Sequence, residues 1–172
     1  MEIISKAPRD CSNTELETFE RLVSAGGEVS LAGLRQRIQS AEKLIFINDG
    51  ECVAVGAIKN PNAAYKAGIF KKSNASEQSK YQYELGWFYV SSIARGKGYG
   101  QALMEETKEL LAGTACFATT RENNAPMHRL FRHFGFSRLG QPYKTDNGDY
   151  PYSLRHIITI GSSRSLRSLG TG

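Results

Sequence analysis

The spacing of apolar residues in the first forty positions predicts one short strand followed by two helices. Ile3–Lys6 has the composition of a strand. A helix is predicted from a cap at Ser12 or Asn13 to Ala25, where Gly26 and Gly27 would end it. Its apolar positions at helical spacing are Leu16, Phe19, Leu22 and Val23. Ser30 is predicted to cap the second helix, which would place Leu31, Leu34 and Ile38 on one face.

Apolar runs dominate the middle of the chain and predict three strands. Leu44–Asn48 and Cys52–Lys59 are separated by Asp49-Gly50, which is typical of a hairpin turn. Asn60–Lys80 is polar and irregular, so a long loop is predicted there. Tyr83–Val90 is rich in aromatic residues and predicts the third strand of this region.

Helical and strand patterns alternate in the remainder of the chain. The predicted elements are a helix from Gly98 or Gly100 to Leu111, a strand Ala115–Thr120, a helix Asn124–Phe134, and strands Ser137–Leu139 and Tyr152–Ile158. This order predicts an α/β (α+β) fold in which one central mixed, largely antiparallel sheet carries helices on both faces. A single domain would cover residues 1–158, and residues 159–172 have the composition of a flexible basic tail.

Composition narrows the class of protein. The 172 residues are 40% hydrophobic and 23% charged, which is close to the globular average and excludes wholesale disorder. No apolar run is long enough to span a bilayer, so we expect no membrane partner. The segment Met1–Lys6 is too polar for a signal peptide, and a cytoplasmic location is therefore expected.

Cysteine and histidine spacing does not favour a metal site. Three cysteines without a CxxC pair argue against a disulfide framework and a zinc ribbon. His128 and His133 are five residues apart, outside the spacing that zinc prefers on a helix, and we expect both to be solvated. Cys52 and Cys116 lie in apolar runs, where a thiol usually packs in the core.

The net charge of +5 favours contact with an anion. One concentration of positive charge lies between Arg121 and Arg138. Because the chain lacks aromatic–basic interleaving and a recognisable DNA-binding motif, a nucleic-acid partner is disfavoured.

The most informative segment runs from the end of the Tyr83–Val90 strand into the following helix. It contains Arg95-Gly96-Lys97-Gly98-Tyr99-Gly100. Glycines allow successive backbone N–H groups to face one point, and the positive end of a helix favours an anion there. The segment therefore predicts a phosphate or pyrophosphate site. It is neither a P-loop, which needs GxxxxGK, nor a Rossmann turn, which needs GxGxxG. The alternative is a glycine-rich turn without a ligand.

The same residues resemble the (Gln/Arg)-x-x-Gly-x-(Gly/Ala) motif of the GNAT superfamily of N-acetyltransferases. Downstream, the segment from Asn123 to Phe136 is similar to the Asn-…-Leu-Tyr-x-x-x-Gly-Phe segment of that superfamily. The order of predicted elements also matches, over roughly residues 1–158. The resemblance implies a GNAT fold and an enzyme that binds acetyl-CoA or a related acyl-CoA.

The resemblance implies a set of residues that bind coenzyme A. The loop would hold the pyrophosphate, the end of the preceding strand would hold the pantetheine and the acyl oxygen, Asn123 would contact the coenzyme, and Phe131 would pack on the pantetheine. These residues are Tyr89, Val90, Arg95, Gly96, Lys97, Gly98, Tyr99, Gly100, Asn123 and Phe131. Asn123 is also a candidate helix cap.

Glu84 is the candidate general base. It matches the position of the catalytic glutamate of histone acetyltransferases in this superfamily relative to the glycine motif. A carboxylate in a partly apolar cleft has a raised pKa and can accept a proton from an amine. The alternative is a solvated strand residue or a salt-bridge partner.

The candidate general acid departs from the family pattern. Phe131 stands where the family motif has Tyr, and a phenyl ring cannot protonate a thiolate. Either water assists the leaving thiolate or another residue acts. Tyr143 and Tyr150 are the candidates, because they lie near the loop that usually borders the acceptor in this family.

The sequence therefore predicts an N-acetyltransferase in which a primary amine attacks acetyl-CoA directly in a ternary complex. No Cys or Ser lies in a recognisable nucleophile setting, which disfavours an acyl-enzyme. The alternative is a non-catalytic acyl-CoA-binding regulatory module. The amine acceptor, whether a small molecule or a protein, stays open, as does the choice between a monomer and a homodimer.

Overall fold

Seven strands form one sheet in the computed structural model, which describes residues 1–145 and 154–162. The strands are β1 (Glu2–Lys6), β2 (Lys43–Asp49), β3 (Glu51–Lys59), β4 (Tyr83–Val90), β5 (Cys116–Arg121), β6 (Ser137–Lys144) and β7 (Leu154–Ile160). The helices are α1 (Asn13–Ala25), α2 (Leu34–Gln39), α3 (Ala63–Lys72), α4 (Tyr99–Leu111) and α5 (Ala125–His133).

The strand order is β1-β2-β3-β4-β5-β7-β6. Neighbouring strands are antiparallel except β4 and β5, which are parallel. The predicted fold class, a largely antiparallel mixed sheet with helices on both faces, is confirmed. Helices α1 and α3 pack on one face, against residues such as Phe46 and Phe117, while α4 and α5 pack on the other, against residues such as Leu85 and Ala118.

Local signals in the sequence account for several element boundaries. Ser12 caps α1, and a reciprocal pair of hydrogen bonds with Glu15 forms a capping box. Gly50 joins β2 to β3 with a φ of +81°, a conformation that favours glycine. Asn124 caps α5 by accepting a hydrogen bond from the Met127 N–H.

The prediction of a long loop over Asn60–Lys80 was wrong. Helix α3 occupies ten of these residues, and a 3₁₀ turn covers Gln78–Lys80. The Asn62 side chain caps α3 by accepting from the N–H groups of Ala64 and Tyr65. Only Ile69 and Phe70 of the helix are buried, so its apolar periodicity is too weak to read from the sequence.

The second helix begins later than predicted. Its cap is Gly33, with a φ of +65°, rather than Ser30. Leu31 is exposed, whereas Leu34 and Ile38 are buried as the apolar spacing predicts. The missing turn leaves residues 26–33 as a connection between α1 and α2, and this connection borders the site described below.

Strand β6 is longer than predicted, and β7 lies further along the chain. Strand β6 runs to Lys144 across an irregularity between Leu139 and Tyr143, and β7 ends at Ile160, two residues past the expected domain end. Residues 163–172, most of the predicted tail, lie outside the described ranges. Within residues 1–145 and 154–162, no helix has the length and apolar character that crossing a membrane requires.

The expectation that His128 is a solvated helix residue was wrong. His128 is buried on α5, and its Nε2 atom lies 3.0 Å from the Arg121 carbonyl oxygen. Its ring packs edge-on against the ring of His156, with centroids 5.7 Å apart. His133 is exposed, as expected.

Candidate functional site

Strands β4 and β5 separate part-way along their length. Their parallel pairing covers only Tyr83–Leu85 against Cys116–Ala118, whereas β4 stays paired with β3 as far as Val90. The edge of β4 that faces β5 therefore has no strand partner after Leu85 among the described residues. A cavity of about 1200 Å³ opens at this divergence and is lined by both strands, α3, α5 and the connection between α1 and α2.

A β-bulge shapes β4 at the divergence. Trp87 has a φ of +56°, which is rare for a residue with a large side chain, and the register with β3 shifts at this point. Phe88 lies so close to Gly56 on β3 that a Cβ atom there would be 2.7 Å from the Phe88 ring. The bulge therefore requires glycine at position 56, opposite Phe88. It also changes the direction of the β4 backbone where this strand lines the cavity.

The glycine-rich segment lies between β4 and the start of α4. Gly96 and Gly98 have φ values of +81° and +84°, which explains the need for glycine at both positions. Within the described part of the chain no side chain caps α4, and its first turn has no acidic residue. Arg95 and Lys97 are exposed, and Arg95 Nε donates to the carbonyl oxygen of Val90 at 3.4 Å. Uncapped N–H groups beside two cations suit an anion such as a pyrophosphate.

Tyr99 and Gly100, in the first turn of α4, differ in the direction and size of their side chains. The Tyr99 side chain is buried on the sheet, and its hydroxyl donates to the Asp49 carboxylate. That hydrogen bond lowers the pKa of Asp49 and raises the pKa of Tyr99. Only the backbone of Tyr99 is therefore directed to the loop. A Cβ atom at Gly100 would meet only Leu130, at 3.9 Å.

The helix cap that the sequence suggests at Asn123 lies one residue later, at Asn124. Asn124 is the cap of α5 and lines the cavity, whereas Asn123 is exposed and does not cap the helix. Phe131 is buried against Phe136, with ring centroids 5.2 Å apart, and one side of it lines the cavity. Phe131 therefore belongs both to the core and to the cavity wall.

Glu84 is buried on β4 and has two polar partners among the residues that the structure describes. Its Oε1 atom lies 2.9 Å from Nζ of Lys59, the residue directly opposite on β3. The Tyr65 hydroxyl of α3 donates to the same oxygen at 3.2 Å. Lys59 Nζ also lies 5.0 Å from the centroid of the Trp87 ring. The carboxylate thus lies in the cavity wall as the centre of a small polar cluster.

Two tyrosines share this part of the cavity. Tyr65 is 43% exposed as a whole, but desolvation of its hydroxyl, with a smaller contribution from the Glu84 charge, holds its pKa well above the usual value. Burial also raises the pKa of Tyr143 to about 12, although Arg155 acts in the opposite direction. Both hydroxyls therefore keep their protons at neutral pH and can donate hydrogen bonds. Tyr150, the other predicted candidate acid, lies outside the described residues.

A second charged cluster lines the cavity beyond Glu84. Arg121 and Arg155 are directly opposite each other on β5 and β7. The Glu28 carboxylate lies between them, with Oε2 2.8 Å from Arg121 Nε and 3.6 Å from Arg155 Nη2. Glu28 belongs to the connection between α1 and α2.

Sequence reasoning missed both polar clusters. The residues that it did not single out for the site are Glu28, Lys59, Tyr65, Trp87, Arg121 and Arg155. Tyr65 lies in the helix that was predicted as a loop. The concentration of arginines that begins at Arg121 was the one signal that pointed toward the second cluster.

The thiols offer no activated nucleophile. Burial raises the pKa of Cys116 to about 12, and burial also raises the pKa values of Cys11 and Cys52. Among residues 1–145 and 154–162, no three side chains of His, Cys, Asp or Glu are grouped closely enough to hold a metal ion.

Comparison with known proteins identifies the fold. A family model described as the acetyltransferase (GNAT) family matches residues 13–136. No curated protein is a significant match to the sequence. Solved structures of this fold are similar over nearly their whole length but under 25% identical, so their likeness concerns the fold alone.

Three of these structures come from different organisms. A ribosomal-protein-alanine N-acetyltransferase from Brucella melitensis is 18% identical with a TM-score of 0.65, covering 94% of this chain and 99% of that one. Arabidopsis thaliana Naa50 in complex with a bisubstrate analogue is 15% identical with a TM-score of 0.65, covering 94% and 99%. An acyl-CoA N-acyltransferase from Pseudomonas aeruginosa is 17% identical with a TM-score of 0.63, covering 93% and 99%.

Proposed function

Because the chain belongs to the acetyltransferase (GNAT) family, we propose that it transfers an acetyl group from acetyl-CoA to a primary amine in a ternary complex. The observation that carries the proposal is the divergence of β4 and β5 beside the uncapped start of α4. A buried carboxylate, Glu84, lies in the wall of the same cavity. Arg95 of the glycine-rich segment also lines this cavity, which supports a cofactor and a base acting in the same space.

The glycine loop supports binding of the pyrophosphate. The N–H groups of the first turn of α4 would donate to the phosphate oxygens, and Arg95 and Lys97 would add positive charge. The unpaired edge of β4, including Tyr89 and Val90, would receive the pantetheine amides and donate to the acyl oxygen. Phe131 would pack against the apolar part of the arm.

Glu84 is proposed as the base. A neutral amine nitrogen attacks the thioester carbonyl carbon, so that a C–N bond forms and the C–S bond breaks. The nitrogen loses one proton, which Glu84 accepts directly or through water. Lys59 and Tyr65 hold the carboxylate at the cavity wall during this transfer.

Tyr143 is proposed as a hydrogen-bond donor to the departing sulfur. A phenol with a pKa of about 12 keeps its proton, so it stabilises the thiolate by a hydrogen bond instead of delivering a proton outright. Tyr150 stays a prediction for the same role. The raised pKa values of all three thiols favour direct attack by the amine over an acyl-enzyme on cysteine.

The test is an acceptor screen with acetyl-CoA, in which mass spectrometry detects acetylated amines and the intact mass of the chain is followed in parallel. The proposal expects acetylated product from at least one amine and no chain heavier by one acetyl group at a cysteine. An acetylated cysteine that passes its acetyl group to the amine would contradict direct attack. Binding of acetyl-CoA without turnover of any amine would favour the acyl-CoA-binding regulatory module.

A further inference from the structure

We propose that Arg121 and Arg155 bind a carboxylate carried by the acceptor amine, in the place that the Glu28 carboxylate occupies in this structure. The acceptor would then be a small amine that also bears a carboxylate, such as a free amino acid. This inference rests on the proposed function, since it names the substrate class of the same cavity.

The register of the sheet makes the arginine pair a receptor for an anion. Arg121 and Arg155 are direct cross-strand partners, so their side chains leave the same face of the sheet side by side. Like charges in that arrangement destabilise a strand pair. A carboxylate between the two guanidinium groups removes the repulsion, and Glu28 provides one in this structure.

The arginines are largely enclosed, whereas Glu28 is not. The side chains of Arg121 and Arg155 are 18% and 16% exposed, and that of Glu28 is 45% exposed. Arg155 Nε is buried and has no hydrogen-bond partner among the described residues. Glu28 therefore leaves hydrogen-bonding capacity of Arg155 unused, and it belongs to a connection between helices instead of a regular element. A carboxylate that engages Arg155 more fully would displace it.

The arginine pair and Glu84 are on one face of the sheet. Glu84 is opposite Phe117 of β5, and alternation along β5 puts Phe117 and Arg121 on the same side. Both clusters line the same cavity, so we expect one acceptor to extend between them, with Glu84 acting on its amine directly or through water. Its amine would lie near Glu84 and the diverging strands, and its carboxylate near the arginines.

The charge of the cavity wall favours an anionic acceptor. Among the described lining residues, six side chains are cationic and two are anionic. The cationic ones are Arg37, Lys59, Lys72, Arg95, Arg121 and Arg155, and the anionic ones are Glu28 and Glu84. Arginine forks match a carboxylate in geometry as well as charge. A polyamine without an acidic group would meet this wall unfavourably.

The first experiment compares matched acceptors. The standard L-amino acids, β-alanine and γ-aminobutyrate are assayed with acetyl-CoA beside their carboxamides, which keep the amine and lose the carboxylate charge. We expect the acids to have the higher kcat/KM by about tenfold or more. Carboxamides that are equal or better acceptors would overturn the proposal.

Two variants test whether the cluster of Arg121, Arg155 and Glu28 causes the preference for acids over carboxamides. Arg155→Met is expected to raise KM for the best acid by about tenfold to a hundredfold, with a much smaller effect on its carboxamide. Glu28→Gln is expected to lower KM for the acid, because the competing carboxylate has been removed. Arg138→Met removes the same charge from the opposite face of the sheet and serves as the control. Equal losses for acid and carboxamide in Arg155→Met would contradict the proposal.

A binding measurement separates this proposal from the proposed activity. The arginine Nε–H signals of the ¹⁵N-labelled chain are followed by NMR while the same acids or carboxamides are added, with the Arg155→Met spectrum assigning the Arg155 signal. A shift of that signal with acids alone supports the carboxylate site even if no acetyl transfer occurs. A signal unmoved by every acid overturns the site, even if acetyl transfer to some other amine is found.

Discussion

Glu84 illustrates how one residue depends on neighbours that are distant in the sequence. Its two polar partners come from different elements, Lys59 from β3 and Tyr65 from α3. The three side chains converge only when the strands pair in register and α3 packs over them. The same contacts that position the carboxylate also offset the free-energy cost of burying its charge. Activity and stability are therefore linked at this residue.

Replacing Glu84 with Gln is expected to lower kcat by about a hundredfold or more, because the side chain no longer accepts a proton. The affinity for acetyl-CoA, measured by calorimetry, should stay near that of the wild type. The variant also leaves the mostly buried Lys59 ammonium without its anion. We therefore expect a loss of about 1–3 kcal/mol in the free energy of unfolding.

The double variant Lys59→Met, Glu84→Gln separates these two effects. Removal of the ammonium should restore most of the lost stability in urea unfolding while activity stays low. Recovery of activity in the double variant would show that Glu84 acts only as a salt-bridge partner.

The lowered pKa of His156 predicts how the free energy of unfolding depends on pH. Burial, followed by the charge of Arg138, lowers the pKa of this histidine below its usual value of 6.5. The unfolded chain therefore binds a proton at a higher pH than the folded chain does, so the histidine's stabilising contribution is present above pH 6.5 and is lost as the pH falls through the folded-state pKa. Urea unfolding between pH 7.5 and 5 should show a weaker pH dependence in His156→Asn than in the wild type, and equal slopes would contradict the assignment.

Sequence reasoning at the residue scale succeeded where the signal was local. Gly96 and Gly98 were singled out from a short motif, and both have the positive φ that the motif implies. The ion pair of Lys59 with Glu84 joins residues 25 positions apart, and the arginine pair joins strands that are not consecutive in the chain. Such contacts depend on strand register, which a single sequence does not specify.

At the scale of elements, α3 is the segment that sequence reasoning did not find. Only two of its residues are buried, so its helical periodicity is weak, and the polar residues around it favour a loop. The helix is stabilised instead by a cap at Asn62 and by packing of Ile69 and Phe70 against the sheet. It carries Tyr65 to Glu84, which makes this element part of the candidate site.

Asn62→Ala is expected to lower the free energy of unfolding by about 1 kcal/mol, because two N–H groups at the start of α3 lose their acceptor. Asn62→Ser retains an oxygen acceptor and should keep most of that stability. Chemical denaturation monitored by circular dichroism measures both. If the two variants were equally destabilised, the cap would not be what holds α3 in place.

For the whole molecule, the alternation of elements was enough to predict the fold class, since each long apolar run became a strand and each amphipathic run a helix. The divergence of β4 from β5 was expected only through the family resemblance, because no local pattern marks where two strands part. The cavity that results is lined by Arg95, the first residue of the glycine-rich segment, and by the two polar clusters.

Binding of acetyl-CoA at the glycine loop is the central claim for the whole molecule, and Gly100 allows it to be tested without disturbing the fold. Gly100 lies in the first turn of α4 with ordinary space around its Cβ position, so Gly100→Ala and Gly100→Glu should both fold. A glutamate there is favourable to the helix start but places a negative charge where the pyrophosphate would bind.

The most direct measurement is calorimetric titration of acetyl-CoA into the wild type, Gly100→Ala and Gly100→Glu. We expect micromolar binding by the wild type, retained binding by Gly100→Ala, and a loss of about a hundredfold or more in Gly100→Glu. Acetyl-CoA at a hundred times its dissociation constant should also raise the free energy of unfolding of the wild type by about 2.7 kcal/mol. Equal affinity in all three proteins, or no binding to the wild type, would contradict the account.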